Sequence, residues 1–290
     1  MLQQFVKLVY LTFKSLKGLV YLSVMIRKII FLALLFSHVA NSQFITKKLA
    51  VDKTNTFALI ADIFVGTDTM GSYYYIKNNV LFKQKDNQIW QYQNIRFGDI
   101  STVDVINSLK IVVFYEAFNT VVLLDNQLNE ISTIDFSALS ESVMARNIGM
   151  SGQNSLWVFN SINQQLALFN YETSVYKNLN QPIPFVFKNY QTDFNNFIWL
   201  DNQQNVCQMD VFGKMTVLDS CPINDQFQFI AASNYILWLA NNKMYLKKIG
   251  NDQIIEINCG EKRINKFYYH DKILSIFTGE QIVNFNLILP

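Results

Sequence analysis

Beyond residue 43 the apolar positions of the chain fall in short runs of four to six residues, separated by polar segments. The runs are rich in Val, Ile, Phe, Tyr and Trp, and the segments between them in Asn, Asp, Gln and Ser, as around KIVVFY, TVVLLD and YILWL. No stretch shows the 3.6-residue period of an amphipathic helix. Because β-branched and aromatic residues favour strands and Asn and Asp favour turns, the pattern predicts an all-β chain.

Similar segments return along the chain at a regular interval. The segments NSLWVFN, NFIWLDN and YILWLAN, aligned on Trp157, Trp199 and Trp238, are spaced by 42 and 39 residues. The same frame continues at Tyr75, Val113 and Ser275, with intervals of 37 to 44 residues. Each unit of about 40 residues contains three or four strand-like runs, so the sequence predicts a repeat architecture.

One such unit is a small meander that cannot bury both faces of its sheet. Radial stacking of the units as propeller blades would bury both faces, and residues 43–290 fit about six blades. The last unit, Lys272–Pro290, is one outer strand short. We therefore expect the N-terminal strand QFITKKLAV, residues 43–51, to pair with it and close the ring. The alternative fold is a pair of β-sandwiches, which the regular spacing disfavours.

Residues 25–42 have the three parts of a secretory signal peptide. Two basic residues come first, the apolar run Ile29–Phe36 follows, and residues 40–42 form a small-x-small cleavage site. We expect cleavage before Gln43. The exported part would then be a single propeller domain, residues 43–290, in the periplasm or at the cell surface.

Residues 1–24 precede this signal, although a signal peptide normally begins close to the initiator methionine. Either Met25 is the true start and the leader is spurious, or residues 1–24 form a membrane-associated amphipathic extension. Three lysines interrupt its apolar residues, which is too many for a spanning segment of about 20 apolar residues. We expect no membrane span in the exported chain.

Removal of residues 1–42 changes the charge of the protein. The full sequence has 24 basic and 22 acidic residues, and five of the basic but none of the acidic residues precede residue 43. The exported part therefore carries 19 basic and 22 acidic residues, a net charge of −3. Such a surface has no excess positive charge to attract phosphates, so we expect no nucleic-acid partner.

The exported part contains few of the residues that catalytic and metal sites require. Its single histidine, His270, has no neighbouring residues at the spacing of a zinc site or a nucleophilic triad. The turns DNQLNE and DNQQN lack the glycine and the ligand spacing of a calcium loop. We expect no catalytic residue, metal or cofactor. The enzymatic alternative requires carboxylates that converge from different blades.

Three cysteines lie in the predicted exported part, where disulfides can persist. Cys207 and Cys221 fall in neighbouring predicted strands and form the candidate disulfide. The alternative is that these two and Cys259 are buried thiols that act as small apolar residues.

Four segments resemble an uncharacterised family of exported bacterial β-propeller-like proteins: YYYIKNNVLFK, SLKIVVFYEAFNTVVLLDNQLNEI, QNSLWVFN and QPIPF. The resemblance covers most of residues 43–290 and is most specific over residues 108–131. It implies a propeller and export. The family has no assigned activity, so the resemblance transfers no functional residue.

The most distinctive stretch, FYEAFNTVVLLDN, places three polar residues at a strand end and turn, where binding groups tend to lie. These candidate ligand-binding residues are Tyr115, Glu116 and Asn119. The first functional hypothesis is an exported, non-catalytic binding or scaffold propeller whose partner is an envelope protein or a glycan. The alternative is an exported propeller enzyme that processes glycans or peptides with carboxylates at its central channel.

Overall fold

The computed structural model describes residues 47–183, 187, 189–222 and 226–290. The predicted leader, the predicted signal peptide and the predicted cleavage site lie outside these residues. The described residues form 25 strands and three short 3-10 turns, Ile95–Phe97, Glu116–Phe118 and Phe136–Ala138. None of the helical segments in this part is long and apolar enough to cross a membrane.

The strands form six sheets, each one blade of a β-propeller; four are meanders in chain order, and the last two each add one strand from the N-terminal segment. The first blade contains β3 (Ile63–Thr67), β4 (Tyr73–Lys77), β5 (Val80–Lys85) and β6 (Gln88–Tyr92). The second contains β7 (Thr102–Asp104), β8 (Ile111–Tyr115), β9 (Thr120–Leu124) and β10 (Glu130–Asp135). The third contains β11 (Ala145–Met150), β12 (Ser155–Asn160), β13 (Gln165–Asn170) and β14 (Val175–Asn178).

The remaining three blades follow the same plan. The fourth contains β15 (Tyr190–Thr192), β16 (Asn196–Leu200), β17 (Asn205–Asp210) and β18 (Met215–Ser220). The fifth contains β19 (Gln226–Ile230), β20 (Tyr235–Ala240), β21 (Lys243–Lys248) and β22 (Ile254–Asn258), with β1 (Lys47–Ala50) added at its outer edge. The sixth contains β23 (Lys266–His270), β24 (Ile273–Phe277) and β25 (Gln281–Asn286), and its outer strand is β2 (Asp52–Ala58).

The predicted propeller of six blades is confirmed, and so is the frame of the repeat. Every anchor of the frame lies in the second strand of its blade: Tyr75 in β4, Val113 in β8, Trp157 in β12, Trp199 in β16, Trp238 in β20 and Ser275 in β24. All six side chains are buried. These strands are apolar on both faces because each lies between two neighbouring sheets.

The hydrophobic core consists of six clusters, one between each pair of adjacent blades. The cluster between the third and fourth blades contains Trp157 and Trp199, whereas Trp238 lies in the cluster between the fourth and fifth. The tryptophans therefore share a position in the repeat, but Trp157 packs towards the following blade, whereas Trp199 and Trp238 pack towards the preceding one. Stability is distributed around the ring, because no blade has a core of its own.

An N-terminal strand closes the ring, as expected, but residues 43–51 do not supply it. The outer strand of the last blade is β2, which pairs antiparallel with β25 from Asp52↔Asn286 to Ala58↔Gln281. The preceding strand, β1, pairs in parallel with β22 of the fifth blade. The N-terminal segment thus ties two blades together, and its two strands cover two outer edges that would otherwise be open.

The predicted disulfide is absent from the structure, in which Cys207, Cys221 and Cys259 are free. Cys207 packs in the cluster between the third and fourth blades, whereas Cys221 packs between the fourth and fifth. The two thiols therefore lie in clusters on opposite sides of one sheet. Burial raises the pKa of Cys207 to about 11 and that of Cys221 to about 12, which keeps both thiols protonated and unreactive at neutral pH.

Candidate functional site

A groove of about 830 Å³ lies between the second and third blades. Three loops form it: the β8–β9 turn, the linker from β10 to β11, and the β12–β13 turn. Its apolar part includes Phe118, Met144 and Ile162, and its charged part includes Glu116, Glu141 and Arg146. The groove thus combines apolar surface with charges of both signs.

Asparagines at the turns between second and third strands hold the linkers that carry the chain from one blade to the next. In Asn79, Asn119 and Asn242 the side-chain amide nitrogen donates to a linker carbonyl, and the side-chain oxygen accepts from the backbone N–H two residues later. The bonded linker residues are Gly98 and Ile100, Val143 and Ala145, and Lys262 and Ile264. All three asparagines have positive φ, which Asn tolerates better than most residues.

The linker at the groove is held from a second side as well. The Asn160 side chain accepts a hydrogen bond from the Met144 backbone N–H at 3.1 Å and donates to the Ser142 carbonyl at 3.0 Å. Asn119 of the second blade and Asn160 of the third therefore bond successive backbone groups of one linker. This double bonding fixes the backbone that presents Met144 to solvent.

The structure separates the three predicted binding residues. Glu116 is exposed and lines the groove. Asn119 also lines the groove, but its amide is bonded to the Val143 carbonyl at 2.7 Å and to the Ala145 N–H at 2.8 Å, so it shapes the groove. Tyr115 is fully buried in the cluster between the first and second blades and does not line the groove. Their role in binding stays a prediction.

The central channel is a second cavity, with a volume of about 730 Å³. Residues of β7, β15, β19 and β23, the innermost strands of four blades, supply most of its lining. Hydrogen bonds join the segments of β11 and β15 in the same order along both. Asn147 bonds to Phe187, Ile148 to Tyr190 and Ser151 to Phe194, so residue numbers rise together on the two sides. These two strands therefore run in the same direction, as the repeated meander requires of every inner strand.

Glutamine side chains join the inner strands of the later blades across the channel wall. Gln191 donates to the Phe229 carbonyl at 3.0 Å and accepts from the Phe229 N–H at 2.9 Å. Gln228, one blade further, makes the same pair of bonds to the carbonyl and N–H of Tyr269, both at 2.7 Å. Each amide thus satisfies both backbone groups of one residue on the next inner strand.

Asp104 is a half-buried carboxylate of the channel. It accepts hydrogen bonds from the Met150 N–H and the Thr192 hydroxyl at 2.8 Å each, and from the Ile106 N–H at 2.9 Å. Burial raises the pKa of Asp104, although these hydrogen bonds oppose the shift. With its oxygens bound by donors from the second, third and fourth blades, the carboxylate acts as a bridge between blades.

A different pair of polar groups lies on β23. Lys266 begins this strand and Tyr268 follows two residues later, and both side chains are half-buried at the channel. Burial lowers the pKa of Lys266 to about 8. Burial, with smaller contributions from the charges of Asp104 and Asp68, raises the pKa of Tyr268 to about 12. At neutral pH both groups are therefore hydrogen-bond donors.

The remaining site predictions concern metals and carboxylates. His270 ends β23 and lines the channel, half-buried. Among the described residues no group of three or more His, Cys, Asp or Glu side chains is arranged to hold a metal ion. The turns that begin at Asp125 and Asp201 are closed by hydrogen bonds from their own Asn129 and Asn205 to those aspartates.

Sequence reasoning missed the asparagine and glutamine bonds and the donors of β23. The spacing of these residues could have indicated the asparagine and glutamine bonds. Asn79 and Asn119 are 40 residues apart and Gln191 and Gln228 are 37 apart, close to the length of the repeat. No local pattern identifies Lys266, because its setting depends on the inner strands that surround it.

Comparison with known proteins identifies the fold. No family model and no curated protein matches the chain. The β-propeller domain of Cps50 (Swd1) from Myceliophteria thermophila superposes with a TM-score of 0.57 at 9% identity, over 82% of this chain and 100% of that one. A streptogramin B lyase gives 0.52 at 10% identity, over 81% and 98% of the two chains. YCF48 bound to D1 peptide gives 0.53 at 10%, over 84% and 99%.

At these identities the likeness shows the fold alone, and function has to be argued from the site. The resemblance to an exported bacterial family stays a prediction, because no family model matches. What the comparisons establish is that this chain has the fold of a β-propeller.

Proposed function

We propose that this protein is an exported, non-catalytic binding propeller that holds a segment of a protein partner in the groove between its second and third blades. The observation that carries the proposal is the set of exposed apolar side chains at this groove. Phe118, Met144 and Ile162 are 52%, 58% and 58% exposed, although each is a large hydrophobic residue. Neighbouring exposed apolar side chains at a concave site are typical of binding surfaces.

The construction of the groove supports this proposal. Asn119 and Asn160 fix the backbone of its linker, so the surface is ordered before a partner arrives and little entropy is lost on binding. Glu116, Glu141 and Arg146 provide charges that can select among partner sequences. A segment with apolar side chains flanked by charged residues complements this arrangement.

The channel supports binding better than catalysis by carboxylates. Asp104, the carboxylate most deeply placed there, is held by three donors from the protein itself. A glycosidase requires two carboxyl groups that face the same bond of the substrate. In the groove, Glu116 and Glu141 are both exposed to solvent, and no apolar pocket encloses either carboxyl group.

A random peptide library displayed on phage tests the proposal. We expect the protein to select peptides that share an apolar motif, and we expect Met144→Ser and Ile162→Ser each to weaken binding of a selected peptide by about tenfold. The matched controls are Met215→Ser and Ile89→Ser, since these side chains are 56% and 59% exposed but lie outside the groove.

Two results would overturn this proposal. One is equal loss of peptide binding in the groove variants and their controls, which would place the peptide elsewhere. The other is failure to select any peptide together with binding on a glycan array, which would identify a glycan as the ligand. Hydrolysis of an arrayed glycan or of a selected peptide would instead favour the enzymatic alternative.

Export is tested separately, by N-terminal mass analysis of the protein recovered from periplasm and cell surface. We expect the chain to begin at Gln43. A form that retains Met1 in the membrane fraction would contradict both the cleavage site and the assignment of residues 1–24 as a spurious leader.

A further inference from the structure

The central channel contains two hydrogen-bond donors without acceptors. The Lys266 ammonium and the Tyr268 hydroxyl form no hydrogen bond or ion pair with any residue that the structure describes. The two residues are separated by one position on β23, so their side chains leave the same face of the strand, about 7 Å apart at their origins. Both line the cavity of about 730 Å³.

Among the described residues, the two buried lysines, Lys83 and Lys247, are both paired. Lys83 lies 3.6 Å from the Asp68 carboxylate and donates to the Asn126 carbonyl at 2.8 Å. Lys247 lies 2.7 Å from the Asp219 carboxylate. Burial of an ammonium group without a partner is costly, and these two lysines show how the fold avoids that cost. Lys266, at the channel, has no such partner among the described residues.

The carboxylates of the channel are remote from Lys266. Because the inner strands run in one direction, the beginnings of the strands lie at one end of the channel. Lys266 begins β23, whereas Asp104 ends β7 and Asp193 follows the end of β15. In agreement with this separation, burial alone accounts for the lowered pKa of Lys266. One end of the channel is therefore positive and the other negative.

We propose that the central channel is a binding site for a small organic anion, which Lys266 holds by an ion pair and Tyr268 by a hydrogen bond. The cavity has the volume of a small-molecule site and includes apolar wall residues such as Val65, Val103 and Phe227. The apolar wall favours an anion attached to an organic body, such as a carboxylate or a phosphate ester. This site is distinct from the groove and does not depend on the function proposed for it.

The anion would supply the acceptor that both donors lack. It would also favour the charged form of Lys266 and raise its pKa, opposing the effect of burial. Several other titratable groups line the channel: Asp104, Asp193, Tyr190, His270 and Asp271. The carboxylates among them repel a second negative charge at the far end, so a ligand with a single anionic group fits best.

Labelling with pyridoxal 5′-phosphate tests access and anion preference together. The uncharged amine condenses with the aldehyde and releases one water, and borohydride then delivers hydride to the imine carbon while the nitrogen takes a proton, leaving a stable secondary amine. At about pH 7.5 a larger fraction of Lys266 than of an ordinary lysine is uncharged. We expect Lys266 to be labelled at least about tenfold faster than the exposed Lys177, as measured by peptide mass mapping.

Competition identifies the chemical class. We expect benzoate or inorganic phosphate to slow the labelling of Lys266 and leave that of Lys177 unchanged. Benzamide, which has the shape of benzoate without its charge, should have no effect. Protection by benzoate alone would indicate a carboxylate ligand, and protection by phosphate alone a phosphate ester.

Variants give an independent measurement. We expect Lys266→Met to weaken benzoate or phosphate binding, followed by ligand-observed NMR, by at least about tenfold, and Tyr268→Phe to weaken it less. Lys177→Met is the control, and Lys266→Gln replaces Lys266→Met if the latter does not fold. The proposal is overturned if Lys266 is labelled no faster than Lys177, if benzamide protects as well as the anions, if no anion protects, or if the folded Lys266 variant binds as the wild type does.

Discussion

Substitution of Gly149 by alanine tests how closely the inner strands pack around the channel. A Cβ atom at this position of β11 would lie 2.1 Å from the Thr192 Oγ1, 2.4 Å from its Cγ2 and 2.6 Å from its Cβ. All three distances are below 3.0 Å, which real Cβ atoms essentially never show, so β11 and β15 would have to separate by about 1 Å. The side chain of Thr192 cannot avoid the clash by rotating, because its own Cβ is among the atoms in contact.

The separation should have a measurable cost. Overpacking of this kind costs about 1 to 3 kcal/mol. The Thr192 hydroxyl also donates to the Asp104 carboxylate at 2.8 Å, and weakening a hydrogen bond to a charged group adds about 1.5 to 3 kcal/mol. Replacement of glycine restricts the unfolded chain and returns about 0.4 to 1 kcal/mol. We expect Gly149→Ala to lower the free energy of unfolding by about 3 kcal/mol.

Urea denaturation followed by tryptophan fluorescence measures this change. Gly152→Ala is the matched control, since its added Cβ would meet no atom closer than 3.3 Å and it lies in the same segment. Thr192→Gly, which removes all three contacting atoms, provides a second background. In that background Gly149→Ala should cost less than about 0.5 kcal/mol.

Equal cost of Gly149→Ala in the wild-type and Thr192→Gly backgrounds would refute the reasoning. It would show that the loss comes from somewhere other than the contact between the third and fourth blades. A cost no greater than that of Gly152→Ala would refute it as well.

Three further predictions concern other parts of the fold. Lys83→Met should lower the free energy of unfolding, measured by urea denaturation, by about 3 to 5 kcal/mol at neutral pH, because it leaves the buried Asp68 unpaired. Burial raises the pKa of Asp68, but its hydrogen bonds and Lys83 outweigh burial and lower that pKa below its usual value. The cost of the substitution should therefore shrink as the pH falls through the pKa of Asp68 in the folded protein. Trp238→Ala should cost about 3 to 5 kcal/mol, and a loss under about 0.5 kcal/mol would show that it is not a core anchor. Removal of residues 1–58 should abolish cooperative unfolding or cause aggregation through β25, whereas removal of residues 1–51 should preserve cooperativity; equal behaviour would contradict closure by β2.

The candidate site was only partly predictable. The sequence identified the β8–β9 turn as distinctive, and Glu116 and Asn119 do lie at the groove, because polar residues that follow a buried strand must lie where the strand meets solvent. Tyr115, one residue earlier, is the last residue of β8 and is buried between blades. The alternation that decides which of two adjacent residues faces the core depends on neighbouring blades, which the local sequence does not specify.

Closure of the ring was likewise only partly predictable from the sequence. The segment DKTNTFA forms β2, but most of its residues are exposed, so it has none of the apolar pattern by which a strand is recognised. It is held by backbone pairing and by polar contacts, such as the Thr54 hydroxyl to the Asn284 carbonyl at 3.0 Å. An outer strand of this kind becomes identifiable only when the open edge of β25 is known.

The strands, the turns, the repeat of about 40 residues and the six-bladed ring follow from the local sequence pattern, because apolar runs that must be covered on both faces leave few architectures open. Three features become visible only in the folded chain: which N-terminal strand pairs with which edge, on which side of a sheet Cys207 and Cys221 lie, and that the half-buried Lys266 has no partner among the described residues. Each of these depends on contacts between blades. Such contacts join residues about 40 positions apart, and their geometry is set by the packing of whole sheets.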